Sequence, residues 1–136
     1  MSLGEHDRTG KSNIQETDGR YWPIYPEIGH AMLLAAGGDG PRGQSLPLLT
    51  QPIDLFPTLC DLAGVTVEPP KPFDGLSFAQ AVLNGENAHR DYAVSGCHIK
   101  TESANPPRRA TMPFLVTDRW GYAPVGAYGR PELYDL

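Results

Sequence analysis

The feature that limits the fold most is the run Ala31-Met-Leu-Leu-Ala-Ala36, closed by Gly37-Gly38-Asp39-Gly40-Pro41. Six unbroken apolar residues stopped by turn formers match a strand buried on both faces of a sheet. One such strand cannot form that sheet alone, so the run points to a piece of a larger α/β arrangement. The rest of the composition indicates much irregular backbone. The 136 residues include 15 glycines and 14 prolines, against ordinary levels of about 7% and 5%. A chain of this length has room for about one domain of roughly 100–200 residues and a modest core.

Eleven Lys and Arg against sixteen Asp and Glu leave a net charge of -5. No basic field exists to collect phosphate backbones or anionic lipid, so nucleic acid is not an expected partner. The Ala31–Ala36 run is far short of the roughly 18 apolar residues of a membrane span, and no basic-then-apolar leader opens the chain. No membrane partner is expected either, and the compartment is left open. Cys60 and Cys97 lack CxxC spacing, which supports neither a zinc site nor a disulfide framework, so two ordinary thiols are expected. Met1-Ser2-Leu3 reads as an expression leader before a chain beginning at Gly4, and the end at Tyr134-Asp135-Leu136 reads as that of an excised piece.

From Gly4 to Gly29 neither helical nor strand periodicity is visible, and the segment reads as a long loop carrying Tyr21, Trp22 and Tyr25. Asp54 stands where an N-cap would, Pro57 falls in the first turn, and Phe56, Leu59, Cys60 and Ala63 recur at helical spacing before Gly64. A helix over 54–63 follows. Ser77 and Gln80 form an S-x-x-Q capping box with Leu76 and Ala81 at the staple positions, and Gly85 stops a second helix over 77–84. Short strands are expected at Tyr92–Ser95, Pro113–Thr117 and Trp120–Ala123, separated by the Pro-rich loop Glu102–Arg109. The Pro-rich stretch near Val65–Pro72 divides an α/β piece, 4–65, from a smaller antiparallel strand-and-helix subdomain, 66–136.

Five segments taken in order carry a resemblance: Gly4-Glu5-His6 with Gly10-Lys11; His30 with its apolar run; Asp54-Leu-Phe-Pro-Thr-Leu-Cys-Asp-Leu-Ala-Gly64; Asp74-Gly-Leu-Ser77; and Glu132-Leu-Tyr-Asp-Leu136. Together they resemble the C-terminal third of a sulfatase of the alkaline phosphatase superfamily. The resemblance implies the end of an alkaline-phosphatase-like α/β core plus a small C-terminal subdomain. It implies a parent that hydrolyses sulfate esters with a divalent metal, usually calcium, and a formylglycine made from a C/S-x-P/A-x-R motif. Cys60 is followed by Asp-Leu-Ala and Cys97 by His-Ile-Lys, so the nucleophile motif is not in this sequence. The family's metal-binding Asp pair would lie before Gly4. The piece alone is expected to be inactive, with no metal ligand and no cofactor of its own.

Lys11 falls where the resemblance places a lysine on the sulfate and the leaving-group oxygen. An ammonium suits that place, because negative charge builds on the bridging oxygen as the ester breaks. His30 aligns with a basic residue facing the cleft, where it could donate to a sulfate oxygen or protonate a leaving alcohol. Lys11 and His30 are the candidate catalytic residues, and both, with Trp22, are the candidate substrate-binding residues. The aromatic ring of Trp22 suits a flat sugar or aryl face. His6 is read with Glu5 as a loop-orienting residue, and His89 and His98 as surface histidines. Met32 replaces the proline usual in the family at that place, and the Lys11-to-His30 segment is long and aromatic, so the pocket is expected to be distinctive.

Two further readings stand beside the sulfatase. One is a phosphoesterase or phosphonate hydrolase of the same superfamily, since the C-terminal motifs do not separate sulfur from phosphorus. The other is a non-catalytic domain that self-associates or binds a partner through the apolar edge and face of 31–36.

Overall fold

The computed structural model of the chain describes residues 24–38, 40–68, 70–86, 89–96, 113–124 and 130–136, and the backbone of strands at 2–3, 9–10, 98–101 and 108–111. Two compact units emerge by internal contact: Met1–Met32 with Val94–Leu136, and Leu33–Ala93. This grouping differs from the 4–65 and 66–136 division read from the sequence.

The first unit is built on a four-stranded sheet. In spatial order its strands are β3 (Ala93–Ser95), β6 (Phe114–Val116), β7 (Trp120–Ala123) and β8 (Glu132–Asp135). β6 pairs antiparallel with β7, Leu115 opposite Tyr122, and β7 with β8, Gly121 opposite Tyr134. The turn between β6 and β7 is held at both ends. The Thr117 N–H donates to the Trp120 carbonyl at 2.8 Å, and the Trp120 N–H to Thr117 Oγ1 at 2.8 Å. Along β7 the burial alternates with period two: Gly121 and Ala123 are buried, Trp120 and Tyr122 exposed. Gly121 has to be glycine, because a Cβ there would lie 2.7 Å from Phe114 Cζ. The three expected strands lie within one or two residues of β3, β6 and β7, and β8 adds a fourth.

Two further pairs are antiparallel ribbons, β1 (Ser2–Leu3) with β2 (Thr9–Gly10) and β4 (His98–Thr101) with β5 (Arg108–Thr111). The expected loop at 4–29 therefore contains β2 and a one-turn helix, α1 (Pro26–Gly29), and β5 begins inside the expected loop 102–109. Neither ribbon has an alternating apolar pattern, which is why periodicity did not announce it.

The core of this unit is small and aromatic. Tyr25, Phe114 and Ala123 are buried, with Val116 and Tyr134 packed against them. The Tyr25 ring meets Phe114 edge-on at 5.5 Å and Tyr134 at 6.0 Å, each such pair contributing about 1 kcal/mol beyond its buried area.

The second unit carries a 3-10 turn, Pro52–Asp54, leading into α2 (Leu55–Leu62), and then α3 (Ala79–Asn84). Gly64 at φ +62° follows α2, and Gly85 at φ +72° closes α3 by donating its N–H to the Ala81 carbonyl, the left-handed stop that favours glycine. Both helices lie where the sequence placed them, with three corrections. Asp54 does not cap α2 with its side chain, which is turned to other partners described below. The Ser77 hydroxyl accepts only from the Ala79 N–H, at 3.3 Å, and no capping box forms, because the chain turns helical at Ala79 rather than Ser77. The periodic apolar stripe of α2 faces outward: Phe56, Leu59 and Leu62 are exposed, and Pro57 and Thr58 are the buried pair.

The apolar run Ala31–Ala36 is not the buried strand its sequence suggests. Residues 31–36 form no strand, and Met32 and Leu34 are 82% and 81% exposed. A doubly buried strand exists only between neighbours, and among the described residues none pairs with this run. The described residues therefore show a four-stranded sheet, two two-stranded ribbons, a 3-10 turn and three short helices. Among them no helix is long and apolar enough to cross a membrane.

Candidate functional site

Of the residues singled out in the sequence, His30 is described and Lys11 and Trp22 lie outside the described residues, as do Glu5, His6, Tyr21 and Cys97. His30 follows α1 directly and is exposed. A four-residue helix is far below the roughly 12–15 residues that sustain helix in isolation, so its geometry comes from its surroundings. The Ile28 and Gly29 N–H groups both donate to the Tyr25 carbonyl, at 2.9 and 2.8 Å, and the His30 N–H donates to the Pro26 carbonyl at 2.7 Å. The turn is then fixed from outside at two points. The Tyr25 hydroxyl donates to Glu132 Oε2 at 2.5 Å, and the Ser95 hydroxyl donates to the Ile24 carbonyl at 2.7 Å. Gly29 lies against Ser95, where an added Cβ would meet Ser95 Cβ and Oγ at 3.1 Å.

Glu132 Oε2 accepts a second hydroxyl, from Tyr134, at 2.6 Å. Burial and then the Glu132 hydrogen bond push the Tyr134 phenol up to about 12, and the same causes push Tyr25 higher still. Both rings are therefore neutral donors at neutral pH. Beside them Tyr25, Pro26, Glu27, Phe114, Tyr134, Asp135 and Leu136 line a cavity of about 130 Å³. On the outer side of β8, Asp135 accepts two hydrogen bonds from Arg119, at 3.0 and 2.9 Å.

The densest polar cluster surrounds Asp54, in the second unit. This carboxylate is fully buried. Oδ1 accepts from the Leu76 N–H at 2.8 Å and from the Arg90 guanidinium; Oδ2 accepts from the Gln51 N–H at 2.8 Å and lies 3.2 Å from His89 Nε2. Burial pushes the Asp54 carboxyl up, but the Leu76 and Gln51 N–H groups, with His89 and Arg90, pull it further down, and it sits below the ordinary carboxylate value. Arg90 also donates to Gln51 Oε1 at 2.9 Å. The Thr58 hydroxyl donates to the Asp54 carbonyl at 2.6 Å and accepts from the Phe78 N–H at 3.0 Å, tying α2 to the start of α3.

His89 is thus a correction. Its side chain is 3% exposed, and its ring stacks edge-on against Phe78 at 5.7 Å, so it is not a surface histidine. The signal in the sequence was the pair His89-Arg90 beyond the Asp74-Gly-Leu-Ser77 turn, two donors facing a carboxylate distant in sequence. With four partners and a depressed pKa, Asp54 has neither a proton to give at neutral pH nor an open place for a substrate. It holds structure.

No group of three or more His, Cys, Asp and Glu that could hold a metal ion occurs among the described residues. Cys60, half-buried in α2, is a free thiol. The described residues therefore offer no ligand set that fits the divalent metal, and no nucleophile motif that fits the formylglycine, that the resemblance implies for a parent.

No family model matches the chain, and no solved structure matches it. Three curated proteins do. A Delta 4,5-hexuronate-2-O-sulfatase from Bacteroides thetaiotaomicron is 36% identical over 119 residues, which is 83% of this chain and 23% of that protein. The arylsulfatase K proteins of rat and human are 25% and 26% identical over 118 residues, 83% of this chain and 20% and 21% of theirs. The chain spans about a fifth of the length of these relatives. Over 83% of its length the chain is similar to these three sulfatases.

Proposed function

We propose that this chain is the C-terminal part of a sulfuric ester hydrolase and supplies side chains to its substrate pocket. The observation that carries this reading is the 36% identity to a sulfatase over 119 residues. The outward apolar stripe of α2 supports it, since Phe56, Leu59 and Leu62 are dressed for an interior. In the whole protein 4–65 would be the end of the α/β catalytic domain and 66–136 the small subdomain.

The Lys11 ammonium would sit against the bridging oxygen and stabilise the charge that grows there as the ester bond breaks. That charge is larger in the transition state than in the substrate, so the contact accelerates cleavage rather than only tightening binding. His30, exposed at the end of a turn held by Glu132 and Ser95, would donate to a sulfate oxygen or to the leaving alcohol. The Trp22 ring would stack on the alcohol portion of the ester. The name of the Bacteroides relative favours a sulfated hexuronate as that portion over an aryl group. A divalent metal, calcium by the family resemblance, and the formylglycine would come from residues outside this chain.

The test is turnover by the full-length gene product of a 2-O-sulfated unsaturated hexuronate, 4-nitrophenyl sulfate and 4-nitrophenyl phosphate. Sulfate release that falls about a hundredfold in Lys11→Ala, the scale of one lost transition-state contact, is the expected result. Cleavage of the phosphate alone would move the protein to the phosphoesterases, and inertness towards all three would remove the reading.

A further inference from the structure

The turn that presents His30 is too short to hold its own shape, and what holds it is remote in sequence. Tyr25 starts the turn by accepting the Ile28 and Gly29 N–H groups on its carbonyl, and the same residue is bolted through its hydroxyl to Glu132, 107 residues away. On β8, Glu132 and Tyr134 point to one face and Leu133 and Asp135 to the other. The inward pair forms one unit with Tyr25: a single carboxylate oxygen accepts both phenols, and the two rings cross at 87°. A hydrogen bond to a carboxylate is about twice as strong as one between neutral groups, and this one is partly buried, its donor Tyr25 belonging to the aromatic core with Phe114.

We infer that Glu132 is a positioning residue: by holding the Tyr25 hydroxyl, its carboxylate fixes the 25–30 turn and with it the place of His30. The inference deepens the reading of His30 as a substrate-facing residue and rests on that reading for its consequence in turnover. It also gives the alternation in Glu132-Leu-Tyr-Asp135 a purpose, since a hydrophobic replacement at Glu132 would remove the carboxylate that accepts both the buried Tyr25 and the half-buried Tyr134 hydroxyl.

The experiment is amide hydrogen exchange by NMR on this chain, wild type against Tyr25→Phe and Glu132→Gln, with inorganic sulfate titrated onto the His30 ring resonances. Tyr25→Phe keeps the ring and removes only the donor. Exchange at Gly29 and His30 is expected to accelerate about tenfold, the scale of one hydrogen bond, while the amides of β7 stay within about twofold of wild type. Glu132→Gln, which keeps an acceptor but loses the charge, is expected to show the same pattern at smaller size and serves if Tyr25→Phe does not fold. Acceleration spread evenly over the turn and the sheet would reduce Glu132 to general core stability, and unchanged exchange at Gly29 and His30 would overturn the inference outright. The sulfate arm separates the two ideas. His30 resonances that ignore sulfate while Tyr25→Phe still frees the turn would leave the latch standing and sink the substrate role of His30.

Discussion

At the scale of the residue, two carboxylates organise this molecule in opposite ways. Glu132 collects neutral donors, two phenols, on one oxygen, whereas Asp54 is fully buried and collects a guanidinium, an imidazole and two backbone N–H groups. An isolated charge would be very costly where Asp54 sits, and these donors offset that cost. Removing the charge while keeping the shape leaves the Arg90 guanidinium buried opposite an amide. Asp54→Asn is therefore expected to destabilise the Leu33–Ala93 unit by about 3 kcal/mol, read by urea unfolding followed by circular dichroism. The pH dependence carries a definite sign. Because the folded carboxyl titrates below its unfolded value, its contribution is complete above about pH 4 and fades as the pH falls toward the folded value. The variant should lack that part of the acid slope, and an acid profile unchanged by Asp54→Asn would show that the cluster does not stabilise the fold.

At the scale of the element, the approach of the 3-10 turn to the Asp74-Gly-Leu-Ser77 segment is set by one missing Cβ. A side chain at the buried Gly75 would lie 1.9 Å from the Ile53 carbonyl oxygen and 3.0 Å from the Asp54 nitrogen. Both obstacles are backbone, so neither can swing aside. Gly75→Ala is expected to cost about 3 kcal/mol, at the upper end of overpacking, and to break the Leu76 N–H bond to Asp54 by displacing the turn. A loss below about 1 kcal/mol in the same urea experiment would mean that the segment yields easily. The Asp-Gly pair in the sequence signalled a turn, but not that the turn must lie against Ile53.

At the scale of the whole molecule, the apolar residues of the chain outnumber the places that cover them. Leu33, Leu34, Ile53, Phe56, Leu59, Leu62 and Val65 are all exposed, an unusual density for one compact unit. Exposed apolar surface of this extent favours association, at roughly 25 cal/mol for each Å² removed from water. The isolated chain is accordingly expected to self-associate in sedimentation velocity at rising concentration. Leu59→Asp, on the outward stripe of α2, is expected to restore a monomer without loss of unit stability, since Leu59 is 62% exposed. A wild-type chain that stays monomeric throughout would dispose of the self-association.

Local signals in the sequence sufficed for the two longer helices, for three of the strands and for the family resemblance. Capping glycines, helical spacing and period-two runs act over a few residues and need no partner to be read. The Gly64 and Gly85 stops, α2, and β7 with its buried Gly121 and Ala123 belong to that class. The tertiary structure decided which way those elements face and which polar groups meet. It turned the α2 stripe outward, left 31–36 without strand partners, and brought His89 and Arg90 onto Asp54 and Tyr25 onto Glu132. The reason is physical: burial and ion pairing depend on neighbours 35 to 107 residues away, and no pattern within a window of ten or fifteen residues contains them.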